Sequence, residues 1–131
     1  MSTTPRYFFR KADKLKSRKA IDLLFGKGNS FSNFPFKVIW LPENKIAVLQ
    51  AAVGVSSRNF KKATDRNRIK RLMREAWRLQ KNKLQDHLQE QNEQLSVFIL
   101  YMGKDIPEYE LVFEKTGIII NRLMKFADAK T

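Results

Sequence analysis

Most of the chemistry this chain can offer lies in one basic run, Ala63 to Leu79, where Arg66, Lys70, Arg74 and Arg78 recur every fourth residue. Asn67, Arg68 and Arg71 stand beside them, and one acid, Glu75, interrupts. A guanidinium presents a planar fork that meets phosphate oxygens with paired hydrogen bonds, and it also stacks on bases. Helical surface charge ordinarily alternates in sign. A face of one sign is therefore suited to a polyanion.

Hydrolytic chemistry is poorly supplied. Cutting a phosphodiester requires a general base, a metal-binding carboxylate cluster or an activated nucleophile. The one histidine, His87, lies among glutamines and reads as a surface side chain. Asp13, Asp22 and Asp65 are far apart in sequence, and no H-x-E, D-x-D or glycine-rich phosphate loop occurs. Glu108 and Glu110 suit the positive end of a helix dipole better than a paired acid and base.

The elements that position the basic run follow from periodicity. Ile69, Leu72, Met73, Ala76 and Leu79 or Gln80 fall at helical spacing, so a helix gathers them into a buried stripe opposite the charges. Thr64 or Asp65 is the expected cap, and the helix is expected to continue through Leu84 and Leu88, ending by about Gln94. Upstream, Ser17 caps a short helix to about Phe25, ended by Gly26 and Gly28. Phe34–Leu41 and Ile46–Val55 read as strands paired in a hairpin across the turn at residues 42–45, and Ser96–Tyr101 as another, stopped by Gly103. Pro107 opens a last helix that buries Val112, Thr116, Ile119, Ile120, Leu123 and Met124. The expected fold is α+β, a two-layer sandwich in αββαβα order with a small central sheet covered by helices, as in ribosomal-protein-like domains. Residues 1–14 form a basic arm bearing Tyr7, Phe8 and Phe9, suited either to stacking on bases or to docking on the domain, and 15–131 form the single RNA-binding domain.

Charge narrows the partner. The net charge is +13, unevenly spread: residues 1–37 hold nine bases and two acids, residues 58–83 eleven bases and two acids, and residues 84–131 five bases and eight acids. The positive field belongs to the N-terminal segment and the central helix, and such a field concentrates a protein on nucleic acid. A membrane-bound helix would expose aromatic or leucine bulk opposite its charges, whereas here that bulk has a core to join. The chain has no cysteine, no stretch approaching the roughly 20 apolar residues of a membrane span and no signal-peptide pattern. A cytoplasmic location is expected.

The run Ala63-Thr64-Asp65-Arg66-Asn67-Arg68-Ile69-Lys70-Arg71-Leu72-Met73-Arg74-Glu75 resembles the RNR motif of the bacterial ribonuclease P protein subunit. It follows a strand ending Val53-Gly54-Val55-Ser56, as in that family, and Leu24-Phe25-Gly26-Lys27-Gly28 also matches; the resemblance runs from about Leu15 to Met124. It implies a ribonucleoprotein endoribonuclease that removes the 5′ leader of precursor tRNA, with Mg2+ and the hydrolytic chemistry held by the RNA, no cofactor bound by the protein alone and no protein partner required. By position, Arg66, Asn67, Arg68, Lys70, Arg71 and Arg74 would face the catalytic RNA. Ile21, Phe25, Lys37 and Ile39 would line a cleft for the single-stranded leader, with Arg58 at its mouth. Ile21 and Ile39 replace aromatics common in relatives, which leaves base stacking mainly to Phe25, or to Trp40 if the strand is shifted by one residue. A ribosomal or chaperone-like RNA-binding protein is the competing reading. A DNA-binding helix-turn-helix would need a short helix where 46–55 reads as strand.

Overall fold

The computed structural model describes residues 14–44 and 47–129; the proposed arm with Tyr7, Phe8 and Phe9 lies outside the described residues. The elements are α1 (Arg18–Lys27), β1 (Asn29–Asn33), β2 (Phe36–Leu41), β3 (Leu49–Val55), α2 (Ala63–Glu90), β4 (Leu95–Tyr101) and α3 (Tyr109–Ala129). The α+β class is as expected, but the order is αβββαβα. The additional strand, Asn29-Ser30-Phe31-Ser32-Asn33, is too polar and too short to announce itself. Only Phe31 of it enters the core.

The sheet runs β1-β2-β4-β3. The hairpin is therefore β1 with β2, and β2 pairs antiparallel with β4 rather than with β3 as the sequence suggested. β3 lies parallel to β4, with α2 as the crossover between them. Proximity in sequence favoured a hairpin across 42–45, but β4 is apolar apart from Ser96 and takes a central position between β2 and β3, its residues all buried or half-buried.

Alternation sorts the strands between two layers. Phe36, Val38, Val97, Ile99, Tyr101 and Ala51 join the large core beneath α2 and α3, whereas Ile39 and Leu41 pack with Leu15 and Leu24 beneath α1. The phase of β2 is thereby fixed. Ile39 faces α1, and Trp40 turns to the opposite face, where it stacks on Phe126 of α3 at 5.1 Å between centroids.

α1 is capped as expected, the Ala20 N–H donating to Ser17 Oγ at 3.3 Å. Gly28, however, is extended, not left-handed. Its smallness matters for space, since a Cβ there would stand 2.3 Å from the Leu24 carbonyl oxygen and 3.0 Å from Ile39 Cγ2. α2 starts at Ala63 with Lys62 at its N-cap and no side-chain cap, so Thr64 and Asp65 lie inside the first turn instead of before it.

α2 buries Ile69, Met73, Ala76, Trp77, Leu84 and Leu88. Its second half, the glutamine-rich stretch, is the seat of α3: Gln80 Nε2 donates to the Phe113 carbonyl at 3.0 Å, Lys83 Nζ to Asn121 Oδ1 at 3.0 Å, and His87 Nε2 meets Asp128 Oδ1 at 2.7 Å. His87 thus ties two helices together. Gly117 permits the close approach, because a Cβ there would stand 2.9 Å from Gln80 Oε1. From α3, Val112, Thr116, Ile119, Ile120 and Leu123 are buried and Met124 is partly so. No helix among the described residues is long and apolar enough to cross a membrane.

Trp77, 1% exposed, sits at the centre of this packing. Trp77→Ala should destabilise the protein by about 3–5 kcal/mol, read as a lower urea midpoint. The His87 contact has an exposed carboxylate partner. His87→Ala should therefore shift the same midpoint far less.

Candidate nucleic-acid interface

The basic face of α2 has a definite geometry. At about 100° per residue, Asn67, Arg71, Arg74 and Arg78 form one ridge, with Arg68 and Glu75 on one flank and Lys70 and Arg66 on the other. Asn67, Arg68, Arg71 and Arg74 are exposed, while Lys70 and Arg66 are half-buried. Arg66 is turned inward: its Nη1 donates to the carbonyls of Phe60 at 2.7 Å and Lys61 at 2.8 Å. It closes the entry to the helix and is less available to a phosphate than its place in the motif suggests.

Glu75 pairs with Arg78, which donates through Nε at 3.1 Å and Nη2 at 2.6 Å. That hydrogen bonding, reinforced by the cation's charge, holds the Glu75 carboxyl below the usual carboxylate range. The acid on the basic face is thus spent on the far end of the ridge. Arg68, Arg71 and Arg74 have no ion pair among the described residues. Beyond Arg68 a groove of about 630 Å³ is walled by Leu72, Ile106, Pro107, Tyr109, Glu108 and Glu110. Its two carboxylates give the positive field a boundary on the α3 side.

A second surface lies on the other face of the sheet. α1 covers Ile39, which is 8% exposed, and Leu41. Phe25, at the C-terminal end of α1, is 51% exposed and leans on Phe98 of β4 at 5.1 Å between centroids. Phe98 is held across Gly54 of β3, where a Cβ would stand 2.8 Å from its Cζ. The two rings form an apolar platform bordered along β2 by exposed Lys37. At the Leu41 end, α1 leaves a groove of about 430 Å³ that includes Lys19, Leu23, Asn44, Gln50 and Ser96.

Of the residues placed in the cleft by sequence, Phe25 and Lys37 are presented on this face. Ile21, on α1, is half-buried and Ile39, on β2, is buried, so both are packed between helix and sheet and neither is presented to a strand. Arg58 is exposed in the loop before α2. Phe98 was missed. Its alternation with Val97 and Ile99 marks it as facing away from the large core, but its meeting with Phe25 depends on β4 lying beside β2. No group of three or more His, Asp or Glu side chains among the described residues is arranged to hold a metal ion.

Comparison with known proteins bears on the family and the fold. The family model described as ribonuclease P matches residues 9–101. A ribonuclease P protein component of Porphyromonas gingivalis is 32% identical over 114 residues, covering 86% of this chain and 83% of that protein. One from Chlorobium phaeobacteroides is 32% identical over 127 residues, covering 88% and 84%. Among solved structures, the Staphylococcus aureus RNase P protein superposes with a TM-score of 0.69 at 18% identity, covering 86% of this chain and 96% of that one. The Thermotoga maritima RNase P protein gives 0.67 at 24% identity, covering 83% and 96%. The sequence matches span the basic helix and the sheet together, and the solved structures share the fold: this chain belongs to the ribonuclease P protein family.

Proposed function

We propose that this chain is the protein component of a cytoplasmic ribonucleoprotein endoribonuclease that removes the 5′ leader of precursor tRNA. The observation that carries the proposal is the pairing of two RNA-compatible surfaces on one sheet: an exposed arginine ridge on α2 and an exposed aromatic platform on the α1 face. The ridge supplies charge without base selectivity, the requirement for docking on a folded RNA. The platform supplies stacking without a hydrogen-bonding code, the requirement for holding a strand of varied sequence.

The division of labour follows from which groups are available. Arg68, Arg71 and Arg74 hold phosphates of the catalytic RNA, with Asn67 and Lys70 as flanking donors. Arg66 acts mainly through the backbone it braces, since its guanidinium is engaged by two carbonyls. Phe25 and Phe98 stack on leader bases, and Lys37 and Arg58 neutralise the adjoining phosphates. The chemical step and its Mg2+ belong to the RNA partner, and the protein's own groups bind, orient and neutralise.

Reconstitution tests this directly. With a bacterial catalytic RNA, adding the protein should lower the salt needed for precursor-tRNA cleavage. Unchanged cleavage, or capture of ribosomal RNA with no effect on leader removal, would reject the assignment.

Within the ridge, Arg68→Ala and Arg71→Ala should each weaken binding to the catalytic RNA and reduce the log–log salt slope by about 0.7–0.9. Arg66→Ala should instead lower the unfolding midpoint and change the slope less. Equal slope changes in all three would place Arg66 on phosphate after all.

On the platform, Gly54→Val should push the Phe98 ring out of its seat. Affinity for precursor tRNA should fall severalfold while affinity for the catalytic RNA stays near wild type, a difference that titration of each RNA separately will detect.

A further inference from the structure

The most exposed large apolar side chain among the described residues lies outside both surfaces. Phe34, 78% exposed, occupies the turn between β1 and β2. A lone exposed phenylalanine is ordinary, but the surroundings of this one are specific. The next residue, Pro35, is buried, and its carbonyl accepts the Met102 N–H at 2.8 Å. Met102 is itself 42% exposed. Asn59 Nδ2 donates to the carbonyls of Met102 at 3.1 Å and Gly103 at 3.2 Å, joining this turn to the loop that leads into α2. The joined segments 56–62 and 102–105 carry Arg58, Lys61, Lys62 and Lys104 against one acid, Asp105.

An aromatic face on a rim of cations suits an unpaired nucleobase whose phosphates are neutralised beside it. A protein partner would call for a wider apolar patch, and Phe34 and Met102 alone provide little area. The rim lies at the end of β2 beyond the platform, where Phe36 and Tyr101 turn into the large core and Lys37 stays on the α1 face. Ile39 pairs with Phe98 at the platform, and Phe36 pairs with Tyr101 three residues further along both strands, a distance on the order of 10 Å. Lys37 is exposed between these two levels.

We infer that Phe34 is a stacking site for an unpaired base of the precursor-tRNA leader where that strand leaves the α1 face, with Lys37 and Arg58 against the flanking phosphates. The inference rests on the function proposed above and extends the leader path past the Phe25–Phe98 platform to the β1–β2 turn. The rim is adapted to single-stranded RNA in general, and the leader is the occupant because it is the strand that the neighbouring face holds.

The test uses reconstituted holoenzyme with wild-type, Phe34→Ala, Phe34→Leu and Phe34→Trp proteins, titrated against precursor tRNAs whose leaders are shortened stepwise. Phe34→Ala should lose about tenfold in affinity for long leaders, and nothing for leaders too short to reach the rim. Phe34→Leu should behave as Ala, keeping bulk without a π face, and Phe34→Trp should match wild type. A fluorescent base analogue moved along the leader should be quenched at one position by wild type and Phe34→Trp, and not by Phe34→Ala. Unfolding midpoints of the four proteins should coincide, since the ring is mostly in solvent. Wild-type affinity of Phe34→Ala for long leaders overturns the inference alone. So does an equal loss for every leader length, which would put Phe34 on the catalytic RNA. If wild-type protein gives no dependence on the leader at all, the proposed function falls together with this extension.

Discussion

A ten-residue helix such as α1 is about 15 Å long. The face it lies on is four strands wide, with neighbouring strands about 4.8 Å apart. It can cover only part of that face. The opposite layer holds α2 and α3, of 28 and 21 residues, and encloses the larger core. This inequality of cover governs the molecule. It leaves Phe25 half in water, seats Phe98 beside it across Gly54, and keeps Lys37 exposed on the same face. A longer first helix would turn the platform into core.

The well-covered layer makes the basic ridge tolerable. Like charges four residues apart on a helix repel, each pair costing about 0.2–0.5 kcal/mol, and Arg66–Lys70, Lys70–Arg74 and Arg74–Arg78 are such pairs. The start of α2 also lacks a side-chain cap. A helix so disfavoured locally persists because its other face is buried, with Ile69, Met73, Ala76 and Trp77 in the core. The glutamine-rich second half adds Leu84 and Leu88 to that stripe, and Gln80, Lys83 and His87 bond α3 in place. One end of the helix is thereby charged for a partner and the other anchored.

Glu75 shows how the two demands meet. Its carboxylate lies on the basic face yet engages Arg78, toward the anchored half, and not Arg71 or Arg74. The fork–fork geometry, in which Arg78 hydrogen-bonds both carboxylate oxygens, favours the ionised form of Glu75. On the other flank, Glu108 and Glu110 wall the groove beyond Arg68. Acids thus bracket the exposed arginines without neutralising them, which narrows the approach open to a polyanion.

The basic helix, its buried stripe, the last helix and the α+β class were legible in sequence, because each depends on local periodicity and on residues within a few turns of one another. The family resemblance rested mainly on that same run, with the short matches at Leu24–Gly28 and Val53–Ser56 beside it. What depended on pairing between distant segments was not legible. Nothing local told that Phe34–Leu41 would pair with Ser96–Tyr101 and not with its sequence neighbour, and so neither β1 nor the Phe25–Phe98 contact could be read. Whether Ile39 or Trp40 faced the cleft turned on a strand phase that alternation left open, until Trp40 found Phe126 on α3. The inward turn of Arg66 was likewise hidden, since its carbonyl partners are offered by the path of the loop before α2. Sequence by itself determined which surfaces carry charge, because charge is a property of residue type. Tertiary structure decided which side chains stand free on those surfaces, because exposure is a property of what packs against them.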